Sequence, residues 1–354
     1  SGAWDRLRDE VSAWPGDCVI SMEWLCAADA AHIRRILEGL HPASVHVVFT
    51  ARDLGRTLPA AWQEYMQTRQ EWTWEEFLEA VSSADPADHA AGRAFWAQQD
   101  LPALVERWSV EVGADHVHLV TLPHPGSAPD VLWQRVAQVL EIDPEGYRTD
   151  DIGGNQSLGL ESAELMRRLN PTTRTAGLSK ALYQRMFKHG LAKHSLARRR
   201  GAESALGLPE QYHDWARKTA TRHIEAIRHS GVRVIGDLDE LEPILIAGRQ
   251  PSDVEDHLLL DAALTGLVSL AQLWHREKQE QAKLTKRNTR LQRRVARLEK
   301  RVATLSGRVQ RFESKPLRSG LRLTARHYRR GARKAVSAAP GRGTGARRSG
   351  RAGR

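Results

Sequence analysis

Val45-His-Val-Val-Phe-Thr-Ala-Arg-Asp-Leu-Gly-Arg-Thr-Leu-Pro-Ala-Ala-Trp-Gln-Glu64 is the stretch whose reading decides the fold. The apolar, β-branched run from Val45 to Thr50 predicts a buried strand, and Pro59 fits the first turn of a helix. Arg52 then stands just beyond the carboxyl end of a strand, where open α/β sheets bind ligands. A guanidinium there can grip a phosphate through two parallel hydrogen bonds and stays charged at any working pH. The same residue type in a strand–loop–helix connection also serves as a plain loop salt bridge.

Working outward, short apolar runs at Val19–Ser21, His116–Thr121 and Val232–Ile235 predict further strands of a covered parallel sheet. Helix starts are legible between them. Thr73-Trp-Glu-Glu76 and Ser127-Ala-Pro-Asp130 have capping-box spacing, and Asp100 precedes Leu101-Pro102. A long helix is expected from about Pro209 to Ser230, closed by Gly231, and residues 171–208 read as helices with a basic loop, Ala197-Arg-Arg-Arg-Gly201. Strands alternating with helices indicate an α/β three-layer domain.

Three further stretches accompany the opening one. They are Asp17-Cys-Val-Ile-Ser-Met-Glu-Trp24, Gly154-Asn-Gln-Ser-Leu-Gly159 with Glu161–Asn170 behind it, and Gly231-Val-Arg-Val-Ile-Gly-Asp-Leu-Asp-Glu-Leu241. In this order, from about Trp4 to Pro243, the chain resembles the actinobacterial sulfotransferase-like proteins. These belong to the P-loop-like sulfotransferases, which move a sulfuryl group from 3′-phosphoadenosine 5′-phosphosulfate (PAPS). The resemblance implies a P-loop-NTPase-like fold with a parallel sheet, PAPS as donor, no metal, and a carbohydrate or small-molecule hydroxyl as acceptor. It places Arg52 on the donor's 3′-phosphate. Eight residues on, where the family has serine, stands Ala60, with Thr57 and Gln63 as candidate replacements. It gives Glu23 the place of the base that deprotonates the acceptor; a solvated carboxylate or a partner for Arg52 is the other reading of Glu23. Trp24 and Trp62 lie beside this site in sequence and are candidates for contact with adenine or acceptor.

The largest departure from that family is at the start. A Gly/Lys/Thr-rich loop that cradles the 5′-phosphosulfate is expected there, and no G-x-x-x-x-G-K-[ST] run occurs in this sequence. Ser1-Gly-Ala-Trp-Asp-Arg-Leu-Arg-Asp-Glu-Val reads instead as an amphipathic helix without an initiator Met. The expectation is a fragment lacking the first strand and the phosphosulfate loop, and inactive in that form. The alternative is a non-catalytic coiled-coil scaffold carrying a degenerate sulfotransferase-like domain.

Charge divides the chain. Residues 1–274 hold 27 Lys/Arg against 39 Asp/Glu, whereas residues 275–354 hold 26 against 4. The division predicts a globular domain over 1–250, a connecting apolar helix over 251–274, a coiled coil over 275–314 and a disordered basic tail over 315–354. Leu258–Trp274, interrupted by Asp261, reads as too short to span a bilayer. Leu284, Leu291, Leu298, Leu305 and Phe312 recur every seven residues, with Asn288, Val295, Val302 and Val309 between them. β-Branched a positions, leucine at d and one asparagine at a predict a homodimer paired in parallel through 281–313. The tail's uncompensated charge suits an anionic membrane surface. Nucleic acid is disfavoured as a partner, because a basic helix used with a zipper lies N-terminal to it. Two cysteines, Cys18 and Cys26, suit a reduced cytoplasmic protein, and the basic tail would hold it peripherally at the inner membrane surface. His116 and His118 with nearby His124 lack a further ligand at metal-site spacing.

Overall fold

A computed structural model describes residues 2–148, 157–314 and 324–330. It divides into two compact units, Ser1–Trp274 and His275–Arg354.

The first unit is mostly helical, built around a small parallel sheet. In chain order its elements are α1 (Ala3–Ala13), α2 (Ala30–Leu40), β1 (Val47–Ala51), α3 (Leu54–Gln67), α4 (Trp74–Ser82), α5 (Ala90–Gln99), α6 (Leu101–Val112), β2 (Val117–Thr121) and α7 (Val131–Leu140). There follow α8 (Leu160–Thr175), α9 (Lys180–Tyr183) continued by a π-helical stretch Gln184–Lys193, then a 3-10 segment Leu196–Ala202, α10 (His213–His229), β3 (Arg233–Ile235) and the start of α11 (Asp256–Ser314). The strands lie in the order β1-β2-β3, all parallel, with Val47 opposite Val117 and Leu119 opposite Val234.

Two apolar clusters hold this unit. Beneath the sheet, Val117 and Leu119 meet Ile33 of α2, Trp108 of α6 and Ile224 and Ile227 of α10. Beside it, Leu58, Trp62 and Met66 of α3 meet Trp74 and Phe77 of α4, Phe95 of α5 and Met166 of α8. Several predicted helix ends form as written. Thr73 and Glu76 close a reciprocal capping box, Asp100 caps α6, and Gly231 takes the positive φ of 76° that lets the chain turn from α10 into β3.

Other expectations are corrected. Val19–Ser21 is not a strand: it pairs with nothing in the sheet, and Val19 is exposed. Ser127 and Asp130 form no capping box, because the Asp130 carboxylate accepts from Gln134 Nε2 within α7. Helix α3 starts earlier than Pro59 implies. Asp53 is its cap, which puts Pro59 in the helix interior. The connecting helix and the coiled-coil region form one continuous helix, α11. Leu259 and Ala262 of α11 are buried in the first unit, while Leu260, Leu264, Leu267 and Val268 stay exposed. An 18-residue window of α11 within Asp256–Arg311 is long and apolar enough to cross a membrane by length and composition.

In the second unit α11 continues to Ser314, and residues 324–330 form a further exposed helical turn, a departure from the disorder predicted for that part of the tail. The remainder of the tail, 315–323 and 331–354, lies outside the described residues, as do positions 154–156 of the Gly154–Gly159 motif.

Candidate functional site

At the carboxyl end of β1 the backbone of Ala51 still belongs to the sheet, and two residues later Asp53 caps α3. The Asp53 carboxylate is buried and heavily used. It accepts from the Arg56 backbone N–H at 3.0 Å, from the Arg56 guanidinium, and from the Ile244 backbone N–H at 3.0 Å. Arg56 also donates to the Pro123 carbonyl at 3.0 Å. This pair locks three chain segments together under the end of the sheet.

Arg52, between strand and cap, is treated differently. Its side chain makes no hydrogen bond or ion pair among the described residues. It enters a cleft of ≈ 130 Å³, whose lining includes Arg56, Pro59, Ala60 and Gln63 of α3, Ser157–Gly159, Arg200, and Glu203–Leu206 with Ile246. Partial burial, then the nearby Arg56 and Arg200 cations, push the Arg52 pKa down; Asp53 opposes them. The Arg56 charge is offset by Asp53, so Arg52 and Arg200 are the guanidinium groups whose mutual repulsion an anion in the cleft would relieve.

The cleft walls are stitched by close backbone approach. Leu160 N–H donates to the Ser204 carbonyl at 3.1 Å, and Ser204 N–H returns to Glu161 at 2.9 Å. A Cβ on Gly159 would lie 2.3 Å from the Glu203 carboxylate. Arg249 N–H donates to the Ala205 carbonyl at 2.9 Å, tying in the strand of chain that carries Ile246. Arg200 donates to the Ser157 hydroxyl. Glu203, the cleft's carboxylate, already accepts from Ser162 Oγ at 2.7 Å and from Arg199 at 2.7 Å, so it acts as a post for the 200–204 segment.

No protein-family model, curated protein or solved structure matches this chain.

The structure therefore brings together some of the residues singled out by sequence and separates others. Arg52, Ala60 and Gln63 share the cleft, with Gln63 only 6% exposed and its carboxamide free of hydrogen bonds among the described residues. Thr57 does not line it; its hydroxyl turns back to the Arg52 carbonyl at 3.4 Å. Glu23 opens an exposed 3-10 turn, Glu23–Ala27, and does not line the cleft. Trp24 is exposed and elsewhere, while Trp62 is fully buried and gives its indole N–H to the Trp72 carbonyl at 3.1 Å. Arg200 is the cleft residue that sequence reasoning placed only in a basic loop. The run Arg198-Arg199-Arg200 was the available signal, and nothing in it distinguishes the arginine that reaches inward.

At the opposite end of the sheet His46 stacks on His116 at 4.3 Å and bonds His118 through ring nitrogens 3.0 Å apart. Burial and the His46 neighbour push the His118 pKa down. No group of three or more His, Cys, Asp or Glu among the described residues is placed to hold a metal ion.

Proposed function

We propose that the cleft beyond β1 binds the phosphate group of a nucleotide, and that this nucleotide is PAPS or its desulfated product, adenosine 3′,5′-bisphosphate. The observation that carries this reading is the unpaired Arg52 beside Arg56 and Arg200. Arg52 and Arg200 would hold the 3′-phosphate by charge-assisted hydrogen bonds, with the Gln63 carboxamide as a neutral donor in place of the family's serine. Arg56 contributes field, since its own donors are engaged by Asp53 and Pro123. The cleft volume suits a phosphate and its ribose, leaving the rest of the nucleotide on the surface. PAPS supplies the sulfuryl group; the chain's residues described so far bind and orient the opposite end of the donor. A three-layer, P-loop-like sulfotransferase fold is part of the same reading, supported by three parallel strands with the cleft at their carboxyl end. The acceptor class, a carbohydrate or small-molecule hydroxyl, rests on the resemblance alone.

A second reading is favoured by one specific observation. Glu23 stands outside the cleft, and Glu203 inside it is committed to Ser162 and Arg199. A nucleotide-binding domain with no uncommitted carboxylate at its cleft among the described residues fits the scaffold alternative, in which binding serves assembly and not transfer.

Isothermal titration with adenosine 3′,5′-bisphosphate and with AMP tests the proposal. The bisphosphate is expected to bind on the order of 0.1 mM, at least tenfold tighter than AMP, and Arg52→Ala is expected to remove the difference. Equal affinity for the two nucleotides would sink the 3′-phosphate assignment. Sulfate transfer to a hydroxyl acceptor separates enzyme from scaffold.

A further inference from the structure

The second unit presents an apolar face that is exposed among the described residues. Leu284, Leu291, Leu298 and Leu305, with Val295, Val302 and Val309 between them, are each roughly half exposed on one side of α11. Exposed leucine and valine confined to one stripe, on a helix otherwise lined by Lys and Arg, are the mark of a seam awaiting a partner helix.

The charges that flank the seam identify the partner. With Asn288, Val295, Val302 and Val309 at a, the g positions are Arg287, Arg294, Arg301 and Arg308, and the e positions include Gln292, Glu299, Ser306 and Glu313. Arg294, Arg308, Glu299 and Glu313 make no side-chain hydrogen bond or ion pair within the chain among the described residues. In a parallel pair each g residue meets the e residue of the following heptad on the other helix, so Arg294 faces Glu299 and Arg308 faces Glu313, in both directions. In an antiparallel pair g meets g, and four arginines would face four arginines. Asn288 can meet its own copy only when the two helices run parallel and in register.

We propose that residues 281–313 form a parallel, in-register two-stranded coiled coil with a second copy of this chain. The apolar seam supplies the association, Asn288 fixes register, and the Arg-to-Glu pairs fix direction. The pairing is independent of what the cleft in the first unit binds.

Sedimentation of the full chain over a dilution series reads the association. The parent is expected at twice the chain mass. Leu291→Asp with Leu298→Asp is expected at the chain mass, with the near-ultraviolet circular dichroism of the tryptophans, all of which lie in the first unit, unchanged as a check on folding. Arg294→Glu with Arg308→Glu, and separately Glu299→Arg with Glu313→Arg, should each weaken self-association at least tenfold, while an equimolar mixture of the two recovers it. Direction is read by Leu284→Cys in a Cys18→Ser, Cys26→Ser background. Mild oxidation should link the two copies at position 284 nearly completely. A parent at the chain mass, a trimer or tetramer, or a dimer that fails to link at 284 would each overturn the proposal.

Discussion

Arg52 and Arg200 line the same small cleft, although one closes a strand near the start of the chain and the other sits on a 3-10 segment far beyond it. Arg200 is steadied by the Ser157 hydroxyl, whereas Arg52 is held by no side chain among the described residues. One guanidinium is positioned in advance and the other is left for a ligand to position.

That asymmetry predicts unequal mutational effects. Arg52→Ala should abolish recognition of the 3′-phosphate with little change in stability, because its side chain has no hydrogen bond or ion pair to lose among the described residues. Arg200→Ala should weaken nucleotide binding by a similar factor and also loosen the 157–159 wall. Titration of each variant with adenosine 3′,5′-bisphosphate, alongside its urea midpoint, separates the two. A large fall in stability for Arg52→Ala would show that its side chain is structural.

Asp53→Ala should behave in the opposite manner. The carboxylate caps α3, anchors Ile244 and neutralises the buried Arg56. Removing one partner of a buried pair leaves an uncompensated charge, at a cost of about 3–5 kcal/mol. Chemical denaturation should show a loss of that order. A change under about 1 kcal/mol, the range of an exposed pair, would mean the ion pair is solvated.

Glu23→Gln tests the base suggested by sequence. Since Glu23 is exposed and outside the cleft, the substitution should leave nucleotide affinity unchanged. It should also leave any sulfate transfer unchanged. A turnover lowered tenfold or more at constant affinity would restore Glu23 as the base.

Gly55→Ala probes the close approach of α3 to the 244–249 segment. A Cβ there would lie 2.2 Å from the Ile244 carbonyl oxygen, and backbone cannot swing aside as a side chain can. Overpacking of this kind costs about 1–3 kcal/mol. The displaced segment carries Ile246, so nucleotide binding should fall together with stability. Unchanged thermal melting would show that the segment moves freely.

Stability should decline below neutral pH, and the histidines set the window. Burial pushes the His223 pKa down to about 4 from an ordinary 6.5. Above pH 6.5 the residue is neutral in folded and unfolded chains alike and contributes nothing. As pH falls from 6.5 toward 4 the unfolded chain takes the proton first, so up to about 3 kcal/mol is lost. His118, also shifted down, acts in the same direction. Glu240, held near 2 despite burial by hydrogen bonds from Arg135 and Thr121, adds a second decline between pH 4.5 and 2. Urea midpoints at pH 7.5 and pH 5 for the parent and His223→Gln check the first window. An equal decline in both proteins would remove His223 from the account.

Features that depend on near neighbours in the chain were legible from the order of residues alone. Apolar runs at Val45–Thr50, His116–Thr121 and Val232–Ile235 became β1, β2 and β3 within two residues, because a short β-branched stretch is a local signal, but only β2 is covered throughout: Val48 and Thr50 of β1 are exposed, against the buried strand expected there. Thr73 and Glu76 became a capping box because both partners lie within one turn. The heptad stripe was legible for the same reason. Tertiary structure decided the rest. Val19–Ser21 has the composition of a strand but no sheet edge to join. Thr57 and Gln63 looked equivalent in sequence, yet helical phase turns Gln63 into the cleft and Thr57 back to the Arg52 carbonyl. Arg200 could not be chosen from three consecutive arginines, since its place depends on Gly159 admitting Glu203 at a distance no Cβ allows. A local pattern can specify an element, whereas a site assembled from distant segments depends on which backbones can approach one another.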